Sequence, residues 1–249
     1  SSYEGKEYAK CLVQCGGQFL EHDFDHHHSL SAGLSYMRDY FNQKRNSFIL
    51  QPQSENVTGA YAQYTLNLHQ KLVFMLGMRG DISSEFDGIF TPRTHLKWSP
   101  VDAFSVRLSA GKGYRTAYAL AENNYLLSSG RKLTVESPLC REEAWNYGLS
   151  STLKVPLFGR GLTVNAEFYR TDFSRQLVVD YDEAPTTISL HPLEGDSYSN
   201  TFQIDATYTL FTGMPLTAAY RLNDVKCTYR GGGLREKPLT SRYKGLLSA

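Results

Sequence analysis

The feature that most constrains this chain is a hydrophobic period of two. In Phe104-Ser-Val-Arg-Leu-Ser-Ala110, the side chains of Phe104, Val106, Leu108 and Ala110 fall on one side, and those of Ser105, Arg107 and Ser109 on the other. That is the pattern of a strand with one apolar and one polar face. It recurs: Leu162, Val164, Ala166 and Phe168 oppose Thr163, Asn165, Glu167 and Tyr169, and Phe202, Ile204, Ala206, Tyr208 and Leu210 oppose Gln203, Asp205, Thr207 and Thr209. Similar runs start at Leu30, Ala60, Leu72, Trp145 and Leu216, and a partial one follows Leu239. The sequence therefore predicts about ten antiparallel strands and an all-β fold.

Alternation alone does not separate a soluble sandwich from a membrane barrel, because both have one apolar and one polar face. The connections separate them. Tight turns are expected near Phe24-Asp25, His69-Gln70, Ser99 to Asp102, Gly159 to Gly161 and Gly213 to Pro215. Between them lie long links, Asn42 to Glu55, Ser83 to Thr91, Tyr114 to Arg141, Val179 to Ser197 and Arg230 to Lys237. Short turns at one rim and long loops at the other are the asymmetry of outer-membrane barrels. Tyr40, Phe41, Trp98, Phe104, Trp145, Tyr147, Phe168, Phe173, Tyr208 and Phe211 fall toward strand ends, as interfacial girdles would. No apolar run approaches the roughly 18 residues of a spanning helix, which argues against a helical membrane protein but not against a barrel.

On the polar faces lie Arg79, Asp81, Arg93, His95, Lys97, Arg107, Glu167, Asp205 and Arg221. In a barrel these would line a hydrated lumen; in a soluble sandwich they would be a solvated face. With 26 Lys+Arg against 25 Asp+Glu, no global field would steer the chain to nucleic acid. The four cysteines, Cys11, Cys15, Cys140 and Cys227, form no CxxC pair and spell out neither a zinc nor a redox site. The cluster Glu21-His22-Asp23-Phe24-Asp25-His26-His27-His28 carries metal-binding side chains, but at a strand turn neighbours project in different directions, so a solvated turn is expected and no metal site. Asn56-Val57-Thr58 is a chance-level glycosylation match, and Gly111-Lys-Gly-Tyr-Arg115 ends a strand without the helix a phosphate loop needs. No nucleophile or metalloprotease motif is present, so neither catalytic residues nor a cofactor are expected.

Longer strings carry a resemblance. Phe90-Thr-Pro-Arg-Thr-His-Leu-Lys-Trp-Ser-Pro100, Val106-Arg-Leu-Ser-Ala-Gly-Lys-Gly-Tyr-Arg-Thr-Ala-Tyr118 and Ala121-Glu-Asn123 resemble the barrel of TonB-dependent receptors, especially those of Bacteroidetes-type bacteria. So do Ser197-Tyr-Ser-Asn-Thr-Phe-Gln-Ile204, Leu216-Thr-Ala-Ala-Tyr-Arg221, Glu236-Lys-Pro238 and Arg242-Tyr-Lys244. The resemblance covers essentially the whole chain and is most specific over residues 56–249. It implies a bacterial outer-membrane barrel of about 22 strands, of which residues 1–249 would be a partial barrel domain.

The same resemblance implies a plug domain that occludes the lumen and a TonB box through which TonB delivers energy; neither lies in these residues. It implies uptake of a scarce, large nutrient, a metal chelate or vitamin of the ferric siderophore, haem or cobalamin class, by a transporter and not an enzyme. The start at Ser1, without Met or a leader, fits a natural chain that extends further. The long loop from Tyr114 to Arg141 would face outside, with Tyr114, Arg115, Asn123, Asn124 and Tyr125 offering stacking and hydrogen-bonding groups to the ligand. The alternative for Tyr114 and Arg115 is packing against the plug or neighbouring loops. Other readings of the whole are a soluble β-sandwich binding module, an adhesin and a passive barrel.

Overall fold

A computed structural model of the chain describes residues 7–24, 27–45, 48–49, 53–69, 71–123, 125–126, 129–136, 139–211, 214–230 and 232–248. Ten long strands dominate: β1 (Glu7–Asp23), β2 (His28–Arg45), β4 (Gln53–Leu68), β5 (Leu72–Ser83), β6 (Ile89–Val101), β7 (Phe104–Tyr118), β9 (Leu139–Leu157), β10 (Arg160–Arg175), β13 (Ser197–Phe211) and β14 (Met214–Tyr229). The remaining elements are short: β3 (Phe48–Ile49), α1 (Ala119–Glu122), β8 (Lys132–Val135), β11 (Leu177–Ala184), β12 (Thr187–Pro192), β15 (Gly233–Glu236) and β16 (Tyr243–Ser248). Among the described residues no helix is long and apolar enough to cross a membrane.

The chain divides into two compact units, Ser1–Leu66 with Leu76–Pro92, and Asn67–Met75 with Arg93–Ala249. In the first, β1, β2 and β4 follow one another as antiparallel neighbours, with Ser35 opposite both Gly16 and Gly59. In the second, the order is β6-β7-β9-β10-β13-β14, again antiparallel at every step. Within each unit the long strands pair in sequence order once the loop elements are set aside. This is an up-and-down meander.

Register converts the period of two into two chemically distinct faces in the second unit. Residues directly opposite share a face. One row runs Leu96, Leu108, Leu149, Phe168, Phe202 and Leu222, and the next runs Trp98, Val106, Ser151, Ala166, Ile204 and Tyr220. Two more follow toward the short turns, with Phe104, Leu153, Val164, Ala206 and Ala218, then Val155, Leu162, Tyr208 and Leu216. From Leu162 to Phe168 these rows cover about 20 Å of strand.

In water such a face would need a covering layer. Here it is bare: Leu108 and Leu149 are each 45% exposed and Phe168 42%. The fully buried side chains include charged ones instead, among them Glu55 and Asp180. A sandwich would have put the apolar rows against a second sheet. The exposed band and the meander are those of a transmembrane barrel, whose apolar side faces lipid.

The band has a defined upper border. Beyond it the same face carries Thr94, Ala110, Tyr147, Arg170, Asn200 and Asp224, then Lys112, Trp145, Asp172, Tyr198 and Lys226. Trp145 stacks on Tyr147 with ring centroids 6.3 Å apart, at the height where apolar rows give way to charge. Phe173 departs from the girdle expectation, because its partners Ala144 and Ser197 place it on the polar face. The side chain of Phe41 lies outside the described residues.

Cross-strand glycines let large rings lie flat on the polar face. Gly148 faces Tyr169 and Ser109, and a Cβ there would come within 2.5 Å of Ser109 Oγ and 2.7 Å of the Tyr169 ring. In the first unit Gly33 holds the same relation to Tyr61, at 2.6 Å. Gly59 instead makes room for the Asp81 carboxylate, whose Oδ1 a Cβ would meet at 1.9 Å.

The long links differ from the sequence expectation: strands run into the Asn42–Glu55 link as far as Arg45 and from Gln53, and β15 lies within the Arg230–Lys237 link. The ladder between β7 and β9 continues through Tyr114 opposite Glu143 and Arg115 opposite Glu142 as far as Tyr118 opposite Leu139, so the loop expected from Tyr114 begins only after the strand ends. The link expected from Ser83 to Thr91 shrinks to residues 84–88, because β5 and β6 run on to Ser83 and from Ile89. The link from Val179 to Ser197 is itself ordered as the hairpin β11–β12, to which β8 adds in parallel through Leu133 opposite Ile188.

Leu149 and its neighbour Ser150 test the two faces. Leu149→Arg is expected to cost about 2–4 kcal/mol of folding free energy in a bilayer, while Ser150→Arg on the polar face changes it little. Urea titration of the two variants in lipid vesicles measures the difference. Equal tolerance at both positions would contradict the assignment of the apolar face to lipid.

Candidate functional site

The region beyond the charged rows, at the long-loop rim, is built by α1, β8, β11, β12 and the upper ends of β7, β9 and β14. Its small core is apolar: Leu190, Ile188, Val178 and Leu133 are buried where β8, β11 and β12 meet. Both faces of this hairpin are covered: Ile188 and Leu190 bury on one face with Leu133, and Val178 on the other with His191, so four consecutive residues of β12 are buried and alternation gives way there. Within that core Asp180 and His191 are each 1% exposed or less. His191 Nδ1 donates to the Pro192 carbonyl at 2.8 Å, which leaves Nε2 facing Asp180 Oδ2 at 4.0 Å. Asp180 Oδ1 accepts the amide of Asp182 at 2.9 Å, and turns the strand end.

An open recess of about 150 Å³ borders this core, lined by Asn123, Tyr125, Gln176, Tyr181, Tyr229 and Lys237 among others. Tyr125 and Tyr181 share a hydrogen bond between hydroxyls 3.0 Å apart, and Arg131 donates to the Tyr181 carbonyl at 3.2 Å. Burial, and then the bond to Tyr125, raise the Tyr181 hydroxyl above the usual phenol range. Burial pushes Tyr229 up to about 12. Both rings therefore stay neutral at physiological pH and offer a face for stacking and a hydroxyl for hydrogen bonding.

Charged clamps fix the rim. Arg115 Nε donates to Glu142 at 2.6 Å and its Nη1 lies 2.9 Å from Glu122, while Glu142 Oε1 also accepts the Leu177 amide at 3.0 Å. Arg115 thus links β7 to α1 and to the start of β11. Glu143, on the opposite face, is held by Lys112 at 2.7 Å, Arg141 at 2.9 Å and Arg175 at 3.6 Å. A third clamp joins Arg230 to Glu136 and Glu194, and ties β14 to the ends of β8 and β12. The hydrogen bonds from Arg230 hold both carboxyls below the usual carboxylate range.

The expected ligand residues separate on this frame. Asn123 and Tyr125 line the recess, with Asn123 Nδ2 donating to the Ala119 carbonyl at 2.9 Å. Arg115 joins them indirectly through Glu142 and Leu177, whereas Tyr114, one residue earlier on the strand, belongs to the opposite face. Asn124 lies outside the described residues. Sequence reasoning missed Tyr181, Tyr229 and Arg230, which lie more than fifty residues from Tyr125 along the chain; no local pattern marked them.

The charged residues expected on the polar faces fall together within each unit. In the first, Arg79 bridges Asp81 at 2.7 Å and reaches Ser35 at 2.9 Å. In the second, register puts Lys97, Arg107, Glu167 and Arg221 on one polar row with Ser150 and Gln203. Arg93 and His95 sit on the same face, opposite Gly111 and Ser109. Asp205 accepts Asn165 Nδ2 at 2.8 Å, and Asn165 in turn accepts Thr152 at 2.9 Å.

No group of three or more His, Cys, Asp or Glu side chains is arranged to hold a metal ion among the described residues. In the histidine-rich turn, Asp25 and His26 lie outside the described residues, and His28 Nδ1 meets the Tyr64 hydroxyl at 2.5 Å. Cys15, Cys140 and Cys227 are free thiols.

The family profile described as "TonB dependent receptor-like, beta-barrel" matches residues 13–245. No curated relative matches the sequence. Among solved structures, the chain is similar to the FrpB iron transporter from Neisseria meningitidis, with TM-score 0.59 and 13% identity over 88% of this chain and 36% of that one. The siderophore receptor PirA from Pseudomonas aeruginosa gives TM-score 0.63 and 10% identity over 91% and 46%. The ferripyoverdine receptor of the outer membrane of Pseudomonas aeruginosa, bound to ferripyoverdine, gives 0.60 and 15% over 97% and 35%. At these identities the likeness is one of fold. The chain spans less than half the length of each of these proteins.

Acidification should open the Arg230 clamp. A carboxyl whose folded pKa is depressed contributes stability above its unfolded value of roughly 4.3 and loses it as pH falls through the folded value. The protection factors of the amides Lys132 to Val135, corrected for the pH dependence of intrinsic exchange, are therefore expected to stay high at neutral pH and to fall below about pH 4. Arg230→Gln should exchange fast at neutral pH and lose most of that dependence. An Arg230→Gln profile identical to wild type would remove the clamp from the account.

Proposed function

The chain belongs to the TonB-dependent receptor β-barrel family of the bacterial outer membrane, and we propose that it forms wall, lumen and outer loops of a receptor for energised uptake of a scarce, large nutrient. The observation that carries this reading is the pairing of a match over residues 13–245 with a sheet whose apolar face is bare and whose polar face is charged. Arg79, Asp81, Arg93, His95, Lys97, Arg107, Glu167, Asp205 and Arg221 would line the hydrated lumen, which an N-terminal plug would occupy. TonB would act through a TonB box. The receptor would transport its cargo unchanged and would catalyse no reaction on it.

Of the ferric siderophore, haem and cobalamin classes, we favour an iron chelate, since the structures similar in fold include an iron transporter, a siderophore receptor and a ferripyoverdine receptor. Such ligands are broad, partly aromatic and rich in oxygen. The recess bounded by Asn123, Tyr125, Tyr181 and Tyr229 offers them stacking faces and neutral hydroxyls. Arg115, fixed by Glu122 and Glu142, would position α1 and with it Asn123. Tyr114, on the other face, would pack outside the recess, while Asn124 remains a proposed contact from the sequence alone.

Cells expressing the full-length receptor, with and without TonB, test this reading by uptake of radiolabelled ferric chelates. Uptake that requires TonB is expected, together with a roughly tenfold loss of ligand affinity for Tyr125→Ala, the equivalent of about 1.4 kcal/mol. Arg115→Ala should weaken binding less, because it acts through α1. Ligand affinity unchanged in both variants would remove this recess from the binding site, and absence of TonB-dependent uptake of any iron chelate would overturn the iron assignment.

A further inference from the structure

A second recess, of about 420 Å³, lies at the short-turn end of the second unit, where Lys71, Lys97, Arg107 and Lys154 surround Ser105 and Thr152. Register places the last five of these on the polar face: Lys97 is directly opposite Arg107, Ser105 is opposite Thr152, and Lys154 is opposite Thr163. Lys71 enters from the turn before β5, where its carbonyl accepts the amide of Ser99 at 2.6 Å. None of the four cations has a carboxylate within ion-pair distance among the described residues. One acid, Asp102, borders the recess. The nearest acids on the polar rows are elsewhere engaged or distant, Asp205 by Asn165 and Glu167 beyond Ser150 from Arg107.

This arrangement is costly in isolation. Like charges directly opposite on one face of an antiparallel pair destabilise it, and the Lys97–Arg107 pair is reinforced by two further cations. Ordinary sheet faces relieve such pairs with interleaved acids, as Arg79 and Asp81 do in the first unit. The concave wall also concentrates the field of the four cations more than a flat surface would. A partner bearing several negative charges would turn the repulsion into attraction.

We propose that this recess is a docking site for an acidic stretch of polypeptide, two or more Asp or Glu residues in extended chain, that lies against the polar face. The inference rests on the reading of that face as the lumen of a receptor. Carboxylates suit the site: Lys71, Lys97 and Lys154 offer mobile point charges, Arg107 a planar fork for a bidentate contact, and Ser105 and Thr152 hydroxyls beside them. Because the cations stand on the short-turn rim, the segment they hold would sit at the inner mouth of the barrel.

The experiment uses the full-length receptor in outer membranes, with a photo-crosslinking amino acid placed at Ser105. Irradiation is expected to yield an adduct with a peptide that carries at least two acidic residues, identified by mass spectrometry. The yield should fall at least fivefold in 1 M NaCl and in Lys97→Glu/Arg107→Glu, and persist in Lys97→Arg/Arg107→Lys. The salt dependence is read with all four cations in place and needs no charge-reversed protein to fold. An adduct with lipid alone, with a peptide lacking acids, or with no polypeptide would overturn the inference, as would a yield indifferent to salt. Iron-chelate uptake by the same cells separates the two readings: uptake without an acidic adduct sinks the docking site alone, and loss of uptake in the unmodified receptor sinks the receptor reading.

Discussion

The antiparallel ladder within each unit is the interaction on which the rest of this structure depends. A strand in lipid has no water to satisfy its amides and carbonyls, so each must pair with a neighbouring strand. That requirement fixes long strands, nearest-neighbour order and turns confined to the rims. It also makes register consequential. A slip of β13 by one residue along β10 would carry Phe202 and Ile204 to the polar side and put Gln203 and Asp205 among the leucines. The apolar rows are thus a register device as much as a lipid contact.

Given that ladder, the two rims have different freedom. The short-turn rim is held close to the sheet, and its chemistry is that of the strand ends: Lys97, Arg107 and Lys154 are strand residues whose direction alternation has already set. The long-loop rim is a separate small structure with a core of its own. Leu190, Ile188 and Val178 bury there without help from the membrane, and the Arg115, Glu143 and Arg230 clusters tie it back to the strands. Exposed ion pairs are individually weak. Glu142 and Glu143 are largely buried, which makes their cationic partners obligatory and not ornamental.

Polar side chains inside the sheet follow the same logic of mutual satisfaction. The chain Thr152, Asn165 and Asp205 crosses three strands in one row, each member donating to the next. Glycines opposite Tyr61 and Tyr169 let rings cover neighbouring backbone where a side chain would collide. These contacts were invisible in the one-dimensional pattern, because each depends on which residue of the next strand stands opposite. Once register is known, they follow from size and hydrogen-bonding capacity alone.

The sequence by itself determined the all-β class, the chemistry of each face and the alternation of short and long connections, although no alternating run marked β1 (Glu7–Asp23). All three are properties of residues adjacent or two apart, and the pleat translates such spacing directly into geometry. It also placed Asn123 and Tyr125 in the long link after β7. Tertiary structure decided which residues meet. It carried β7 past Arg115, sent Tyr114 and Arg115 to opposite faces, folded residues 177–192 into a hairpin, and brought Tyr181 and Tyr229 to Tyr125. It likewise gathered Lys71, Lys97, Arg107 and Lys154 around one recess. Those meetings join residues tens of positions apart, and only the pairing of whole strands fixes them.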